Sequence, residues 1–427
     1  MRTRLVIVLL AAAAHPALAQ QEVPAPAAPP AAPAGAAGSS PAAQFLADQY
    51  GISLAEATER AQLQDAIAEL VAQVKRDNDS ELGSIWVEHT PVFRINISYV
   101  TPDDRKLVKY RIDPKIRRYV KLVKAKKSRA EAEAGATEIF KTIEGSGIRD
   151  FAGYVEEDSG DVVLELPSND MKQRVLNLIG SKRQNIRVVV KPIAKPTAGP
   201  IGVVSGEYIE GGHYFWQQRA SDEASKGCTV AFQATYQGRL GILTAGHCNP
   251  GPEGTGYWHA VNGHWVEIPA PAIARWAYGT KYDFQWHDIT GYSRSNAIYY
   301  FNQASVVGLP KSGWVRVNGT VGYYGQTKGM VSCKSGRVTG ITCGAITSGN
   351  YYYNGANGWI RVFRASGQHL GRTGDSGSAV FSDAAQSTQV KAYGILTAAQ
   401  AFSDGSSEMV YSPIDYIDPW GISLLTQ

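Results

Sequence analysis

Leu243-Thr244-Ala245-Gly246-His247-Cys248 and Gly374-Asp375-Ser376-Gly377-Ser378 are the two stretches on which the reading of this chain turns, and Lys281-Tyr282-Asp283-Phe284-Gln285-Trp286 lies between them. Around all three, the chain consists of short β-branched or aromatic runs separated by glycine turns. That is the pattern of an all-β sandwich or barrel. From Cys228 to Gln427 there are only 13 Lys+Arg and 10 Asp+Glu, against 42 and 38 in the whole chain. Most of the charge therefore lies upstream, and the C-terminal part is rich instead in Gly, Ser, Thr, Asn and Tyr. Ile414 to Leu425 is the one late segment with a helical pattern, and Pro419 interrupts it.

The residue types in the three stretches, in the order His, Asp, Ser, suit one chemistry. A serine hydroxyl is a weak nucleophile at neutral pH, so a histidine must take its proton as it attacks. A buried carboxylate must hold that histidine in one tautomer. The serine must also sit on a tight turn whose backbone N–H groups face the developing oxyanion, and Gly-x-Ser-Gly permits such a turn because glycine accepts positive φ. Asp288 is a rival to Asp283 for the carboxylate. His259, His264 and His287 could be imagined as metal ligands with His247, but their spacings fit no zinc signature.

Working outward, 427 residues are too many for one ordinary core and point to two or three units. Arg2 and Arg4, the apolar run Leu5–Ala14 and Ala17-Leu18-Ala19 before Gln20 read as an export signal over residues 1–19. No later run is long and apolar enough for a membrane helix. Residues 20–43 are an Ala/Pro/Gly/Ser linker.

Residues 44–195 have an α+β pattern. Ser53 with Glu56 is a capping box that starts a helix running to Lys75. Strands are expected over 91–100 and 161–166, and a helix over Lys172–Ile179. Lys195-Pro196-Thr197-Ala198-Gly199-Pro200 breaks the pattern, and the β region follows over 196–427. The basic run Lys115–Arg129 reads as a solvated face. With a net charge of only +4 and no binding motif, nucleic acid and anionic membrane are not expected partners.

The four cysteines, Cys228, Cys248, Cys333 and Cys343, form no C-x-x-C pair, which disfavours zinc. In an exported chain they imply two disulfides. Pairing in chain order closes two short loops, and two other pairings are formally open.

TAGHC followed by GDSGS in an exported, disulfide-bonded all-β region resembles the chymotrypsin family of serine peptidases. The closer likeness is to the bacterial branch of α-lytic protease and the streptogrisins, which also carries a motif like Cys333-Lys334-Ser335-Gly336 and a long pro-region. The resemblance covers residues 200–427 well and the pro-region loosely. It implies two six-stranded antiparallel β-barrels after an α+β pro-domain, and a secreted, monomeric endopeptidase without metal or organic cofactor, acting on proteins or peptides and made as a zymogen.

Carried over, His247 is the general base, Asp283 its orienting carboxylate and Ser376 the nucleophile. The N–H groups of Gly374 and Ser376 form the oxyanion hole. The resemblance also implies disulfides Cys228–Cys248 and Cys333–Cys343, and a cation beside buried Asp375, here Lys334 where the family more often has arginine.

The chain departs from the family at Ser378, a glycine in many relatives, and at the pocket wall Thr397-Ala398-Ala399, often Ser-Gly-Gly. With Leu370-Gly371-Arg372-Thr373 and Met409-Val410-Tyr411, that wall suggests a shallow apolar pocket, with Glu408 turned away by strand alternation. The alternative from another class is an inactive relative acting as a secreted protein- or carbohydrate-binding module.

Overall fold

Ser40 is where the described chain begins, and its side chain already does structural work. Its Oγ accepts the Ala43 N–H at 3.0 Å, Pro41 occupies the first helical turn, and α1 runs Pro41–Tyr50 to a left-handed Gly51. Residues 41–43, expected as the end of a linker, are thus the first turn of α1. A serine cap followed by proline starts a helix whatever the composition upstream.

The computed structural model describes residues 40–180, 185–196, 209–219, 225–249, 255–261, 264–268, 273–302, 312–382 and 388–426. The expected export signal and most of the linker lie outside the described residues, as do the side chains of His259 and His264. Among the described residues no helix is long and apolar enough to cross a membrane.

The helix expected from Ser53 to Lys75 is two helices, α2 (Leu54–Gln62) and α3 (Gln64–Arg76). Ser53 Oγ accepts the Glu56 N–H, but the Glu56 carboxylate turns to buried Arg60, so half of the capping box forms. The break at Leu63 lets the helices serve different cores. Ala57 and Ala61 of α2 pack with α1 and the C-terminal β region, whereas Ile67, Leu70, Val71 and Val74 of α3 join a second cluster. A single straight helix presents one apolar stripe and could not face both.

A three-stranded sheet follows: β1 (Leu82–Glu88) antiparallel to β2 (Arg94–Tyr99), and β2 parallel to β3 (Val120–Lys124). β3 lies inside the basic run, and Lys115, Arg117, Arg118, Lys121 and Lys124 are exposed around the short α4 (Pro114–Arg117). The next lobe holds α5 (Arg129–Gly145), β4 (Ala152–Val155), β5 (Val162–Leu166), α6 (Asn169–Ile179) and β6 (Ile186–Val190). Ser128 and Glu131 form a complete capping box at the head of α5. Strand β4 pairs through Gly153 with Tyr352 of the C-terminal region, so the two regions share a sheet.

Among its described residues the C-terminal region is built of β-strands with short 3-10 turns between them. Its first half comprises β8 (Tyr214–Arg219), β9 (Ser225–Thr229), β10 (Phe232–Tyr236), β11 (Arg239–Thr244), β12 (Thr255–Val261), β13 (His264–Ile268), β14 (Ile273–Gly279) and β15 (Tyr282–Asp288). The second half comprises β16 (Ala297–Phe301), β17 (Ser312–Thr320), β18 (Val331–Gly336), β19 (Gly340–Tyr353), β20 (Ala356–Arg364), β21 (Ala379–Phe381), β22 (Gln389–Ala401) and β23 (Ser407–Pro413). The short β7 (Lys195–Pro196) precedes both halves, and β24 (Ile422–Leu424) ends the chain.

Strands β18, β19, β20, β23, β22 and β21 pair in a closed ring, a six-stranded barrel. Among the described residues the first half stays open, as the sheets β14-β15-β11-β10-β24 and β13-β12-β8-β9. The double-barrel, chymotrypsin-like architecture is as expected, with full closure in the second barrel only.

The expected terminal helix is absent. Ile414–Trp420 is a short 3-10 segment, and β24 then pairs with β10. Pro419, without an N–H, cannot carry an α-helix through that point.

Candidate active site

The His247 loop begins where β11 ends. Gly246–Cys248 make one 3-10 turn that lies against the neighbouring sheet. A Cβ at Gly246 would stand 2.2 Å from the Ala277 carbonyl oxygen and 2.9 Å from that of Phe284, so only glycine lets the loop sit this close. Trp276 Nε1–H donates to the Gly246 carbonyl at 2.7 Å and Gln285 Nε2–H to the Ala245 carbonyl at 2.8 Å. The approach brings His247 onto Asp283, near the start of β15. The His247 backbone N–H donates to Asp283 Oδ1 at 2.8 Å, and Nδ1 lies 2.7 Å from Oδ2. Asp283 is wholly buried.

Asp288, at the other end of β15, stands opposite Gly241 and pairs with Arg239. It is therefore at the opposite end of the β11–β15 ladder from the His247 loop. His287 is buried against the Phe215 ring, and burial alone pushes its imidazole down to about 3.

Ser376 sits on a turn between two positive-φ glycines, Gly374 at 102° and Gly377 at 84°. The turn is brought to the His247 loop by contacts with the end of β9. Thr229 Oγ1–H donates to the Gly374 carbonyl at 2.9 Å, and the Thr229 N–H donates to the Ser376 carbonyl at 2.8 Å. Gly377 packs so tightly there that a Cβ would fall 2.1 Å from Thr244 Oγ1 and 2.9 Å from the Ala245 nitrogen. Next to Thr229, Cys228 is disulfide-bonded to Cys248, the neighbour of His247. The serine turn and the histidine loop are thus fastened to the same short segment. The second disulfide, Cys333–Cys343, ties β18 to β19.

Asp375 is wholly buried and fully engaged. Its Oδ1 accepts the Val338 N–H at 2.7 Å, and Oδ2 accepts the Thr339 hydroxyl at 2.7 Å and the Arg372 N–H at 2.9 Å. Lys334 Nζ, also fully buried, stands 3.5 Å away and donates to the Gly340 carbonyl. Burial holds the Lys334 ammonium below its usual range while Asp375 opposes that shift. Ser378 is buried, and its hydroxyl donates to the Asp375 carbonyl.

Thr397, Ala398 and Ala399 lie on β22. That strand reaches the serine turn, because the Gly377 N–H donates to the Leu396 carbonyl at 2.8 Å and the Leu396 N–H to that of Ser378 at 3.0 Å. A Cβ at Gly371 would come within 2.7 Å of the Ala399 methyl. Ala399, Leu370, Met409 and Val362 share one apolar cluster. Glu408, one residue from Met409, turns the other way, to Arg361.

Two features escaped the sequence reading. Thr229 carries no motif of its own. Strand β7 pairs with β22, with Pro196 opposite Ala398 and Lys195 opposite Ala399, and no local pattern announces a two-residue strand.

No family model matches the chain. It is 24% identical over 381 residues to Serine protease 1 of Rarobacter faecitabidus, a match taking in 88% of this chain and 62% of the relative. The chain therefore corresponds to less than two thirds of that relative's length. Among solved structures, Nocardiopsis protease is 21% identical over 52% of this chain and 100% of its own, with a TM-score of 0.36. Thermobifida fusca protease A is 20% identical with the same coverage and a TM-score of 0.33, and the α-lytic protease homologue N4 is 17% identical, again with that coverage, at 0.34. In its double-barrel fold and its TAGHC and GDSGS segments the chain resembles the bacterial chymotrypsin-like serine peptidases, and over most of its length it is similar to a curated serine protease.

Proposed function

We propose that the protein is a secreted serine endopeptidase that hydrolyses peptide bonds in proteins or peptides through an acyl-enzyme, with Ser376 as nucleophile, His247 as general base and Asp283 as its orienting carboxylate. The observation that carries this reading is the pair of hydrogen bonds from His247 to buried Asp283, one from the backbone N–H to Oδ1 and one between Nδ1 and Oδ2. A carboxylate bound to Nδ1–H leaves Nε2 to accept the serine proton and stabilises the imidazolium that results. Ser376 Oγ then bonds to the scissile carbonyl carbon. The oxyanion would be met by the N–H groups of Gly374 and Ser376. His247 returns its proton to the leaving amine, and water, activated by the same base, releases the acyl group.

Residues 44–195 act in this reading as a pro-domain that assists folding and then inhibits. A double barrel is dominated by non-local pairings, whose slow assembly such a helper would speed. Inhibition is supported by β7, which takes up the edge of β22 along which an extended substrate would pair. The pocket is small and apolar, since the Ala399 methyl already meets the facing Gly371 wall. The protein is proposed to work as a monomer, with neither nucleic acid nor membrane as partner.

The test is covalent labelling of the purified chain with an organophosphonate, followed by peptide mapping, alongside hydrolysis of a peptide amide by the Ser376→Ala variant. A label on Ser376 is expected, with a loss of turnover on the order of 10⁴–10⁶ in the variant and its melting temperature kept. Unlabelled Ser376, or hydrolysis that survives the substitution, would sink the reading.

A further inference from the structure

Between the N-terminal lobes and the closed barrel lies a cluster of four charges that the proposed chemistry does not use. Glu165 on β5 and Lys191 just after β6 come from the N-terminal side. Arg361 on β20 and Glu408 on β23 come from the protease side. Their side chains are 2% (Glu165), 14% (Lys191), 9% (Arg361) and 0% (Glu408) exposed.

Within each side the charges already cancel. Lys191 Nζ lies 3.1 Å from Glu165 Oε1, and Arg361 donates to Glu408 Oε2 from Nε at 3.0 Å and Nη2 at 2.8 Å. The two pairs then cross. Lys191 Nζ reaches Glu408 Oε2 at 2.5 Å, and Arg361 Nη2 reaches Glu165 Oε1 at 3.3 Å. Tyr351 of the protease side donates its hydroxyl to Glu165 Oε2 at 2.5 Å. The rings of Tyr154 and Tyr351 each lie 5.6 Å from the Arg361 guanidinium, one from either region. Glu408 Oε1 has no hydrogen-bond partner among the described residues.

Such a cluster is poor at adding affinity and strong at rejecting mismatches. Removing charges from water costs about what their attraction returns, whereas leaving one buried charge without its counter-charge is heavily penalised. Glu408, wholly buried, takes both Arg361 and the partner's Lys191 on Oε2, so a partner that brings the Glu165 carboxylate without that ammonium leaves the cluster with an excess buried negative charge.

We infer that Glu165, Lys191, Arg361 and Glu408 form a selectivity lock by which the protease domain recognises its own N-terminal region, and which stays closed after the chain between them is cut. This rests on the proposed reading of that region as a removable pro-domain. The partner it fits is a β-strand surface offering one buried ammonium and one buried carboxylate in this order. A segment that merely fills the apolar edge of β22 lacks the counter-charges and is excluded.

The test uses the full chain and the variants Lys191→Glu, Glu408→Lys and their double exchange. After self-processing, size-exclusion chromatography reads how much of the N-terminal region travels with the protease domain. Phosphonate labelling in the same samples reads the active site separately. Wild type is expected to co-elute. Each single reversal should weaken retention about 100-fold or more, from the cost of an unpaired buried charge. The double exchange should recover most of it.

Thermal melting of the uncut chain in a Ser376→Ala background gives the same cycle without processing, and Lys191→Met with Glu408→Gln replaces any reversal that fails to fold. Single variants that behave as wild type, or a double variant no better than its singles, would overturn the lock. A wild-type chain that labels but is never cut contradicts the pro-domain reading, and the melting cycle then decides the lock on its own.

Discussion

Replacing Asp283 by asparagine separates geometry from charge at the proposed catalytic centre. Asparagine has almost the same shape, and its amide oxygen can still accept the His247 backbone N–H that now lies 2.8 Å from Oδ1. The other arm is different. An NH₂ group facing Nδ1 at the present 2.7 Å must donate, so the imidazole proton moves to Nε2, the atom meant to accept the serine proton. The base is then in the wrong tautomer. Turnover should fall about 10⁴-fold, which corresponds to about 5.5 kcal/mol of barrier, with KM little changed. The fold should tolerate the change, since it removes a buried charge and keeps the backbone bond. Asp288→Asn is the control, because its pair with Arg239 is more than half exposed on the arginine side and such pairs contribute at most about 1 kcal/mol. The assay is kcat and KM on a soluble peptide amide, with circular dichroism melting alongside. Retention of more than a tenth of turnover by Asp283→Asn, or an equal loss in Asp288→Asn, would refute the argument.

Other perturbations follow from the same geometry. Ala399→Gly removes the methyl that meets the Gly371 wall, so the preference before the scissile bond should move toward Leu and Phe by about 10- to 150-fold in relative kcat/KM, read from a matched peptide series. Unchanged ranking would mean that this wall does not form the pocket. Acid should destabilise the protein, because burial holds His89 down at about 4 and His287 at about 3. An unfolded imidazole takes its proton near 6.5, so below that pH the unfolded chain binds protons that the fold refuses. Stability is full above about 6.5 and falls as the pH drops toward those lower values, by up to about 1.4 kcal/mol per pH unit for each histidine. Melting curves between pH 7 and 4.5 should show this slope, reduced by about one proton in His287→Phe. An identical slope in that variant would contradict the assignment.

Much of the candidate site is legible in the sequence. His247, Asp283 and Ser376 stand in short segments whose glycines carry their own reasons: Gly246 and Gly377 occupy positions where a Cβ would meet backbone atoms. The helix start at Ser53 was legible as a cap and the body of α6 from Lys172 onward as a helical stretch, though not its start at Asn169; both signals are properties of neighbours in the chain. The capping box of Ser128 and Glu131 is equally local, at the end of the basic run Lys115–Arg129. Val120–Lys124 forms a strand although its apolar residues, Val120, Leu122 and Val123, do not alternate with the two lysines.

The remainder depended on residues far apart in sequence. Whether Asp283 or Asp288 meets His247 follows from the pairing of β11 with β15, and an acid at either end of one strand looks alike until that ladder exists. The break at Leu63 reflects two cores that a periodicity over α2 and α3 cannot distinguish. The terminal strand forms because β10 has an edge to offer, and β7 because β22 has one. Nothing local in the sequence marks Glu165, Lys191, Arg361 and Glu408 as members of one cluster. Local periodicity, caps and turn chemistry are set by covalent neighbours and survive in one dimension. Strand partners, burial and the pairing of charges are set by which surfaces the folded chain brings together, and only the tertiary structure decides those.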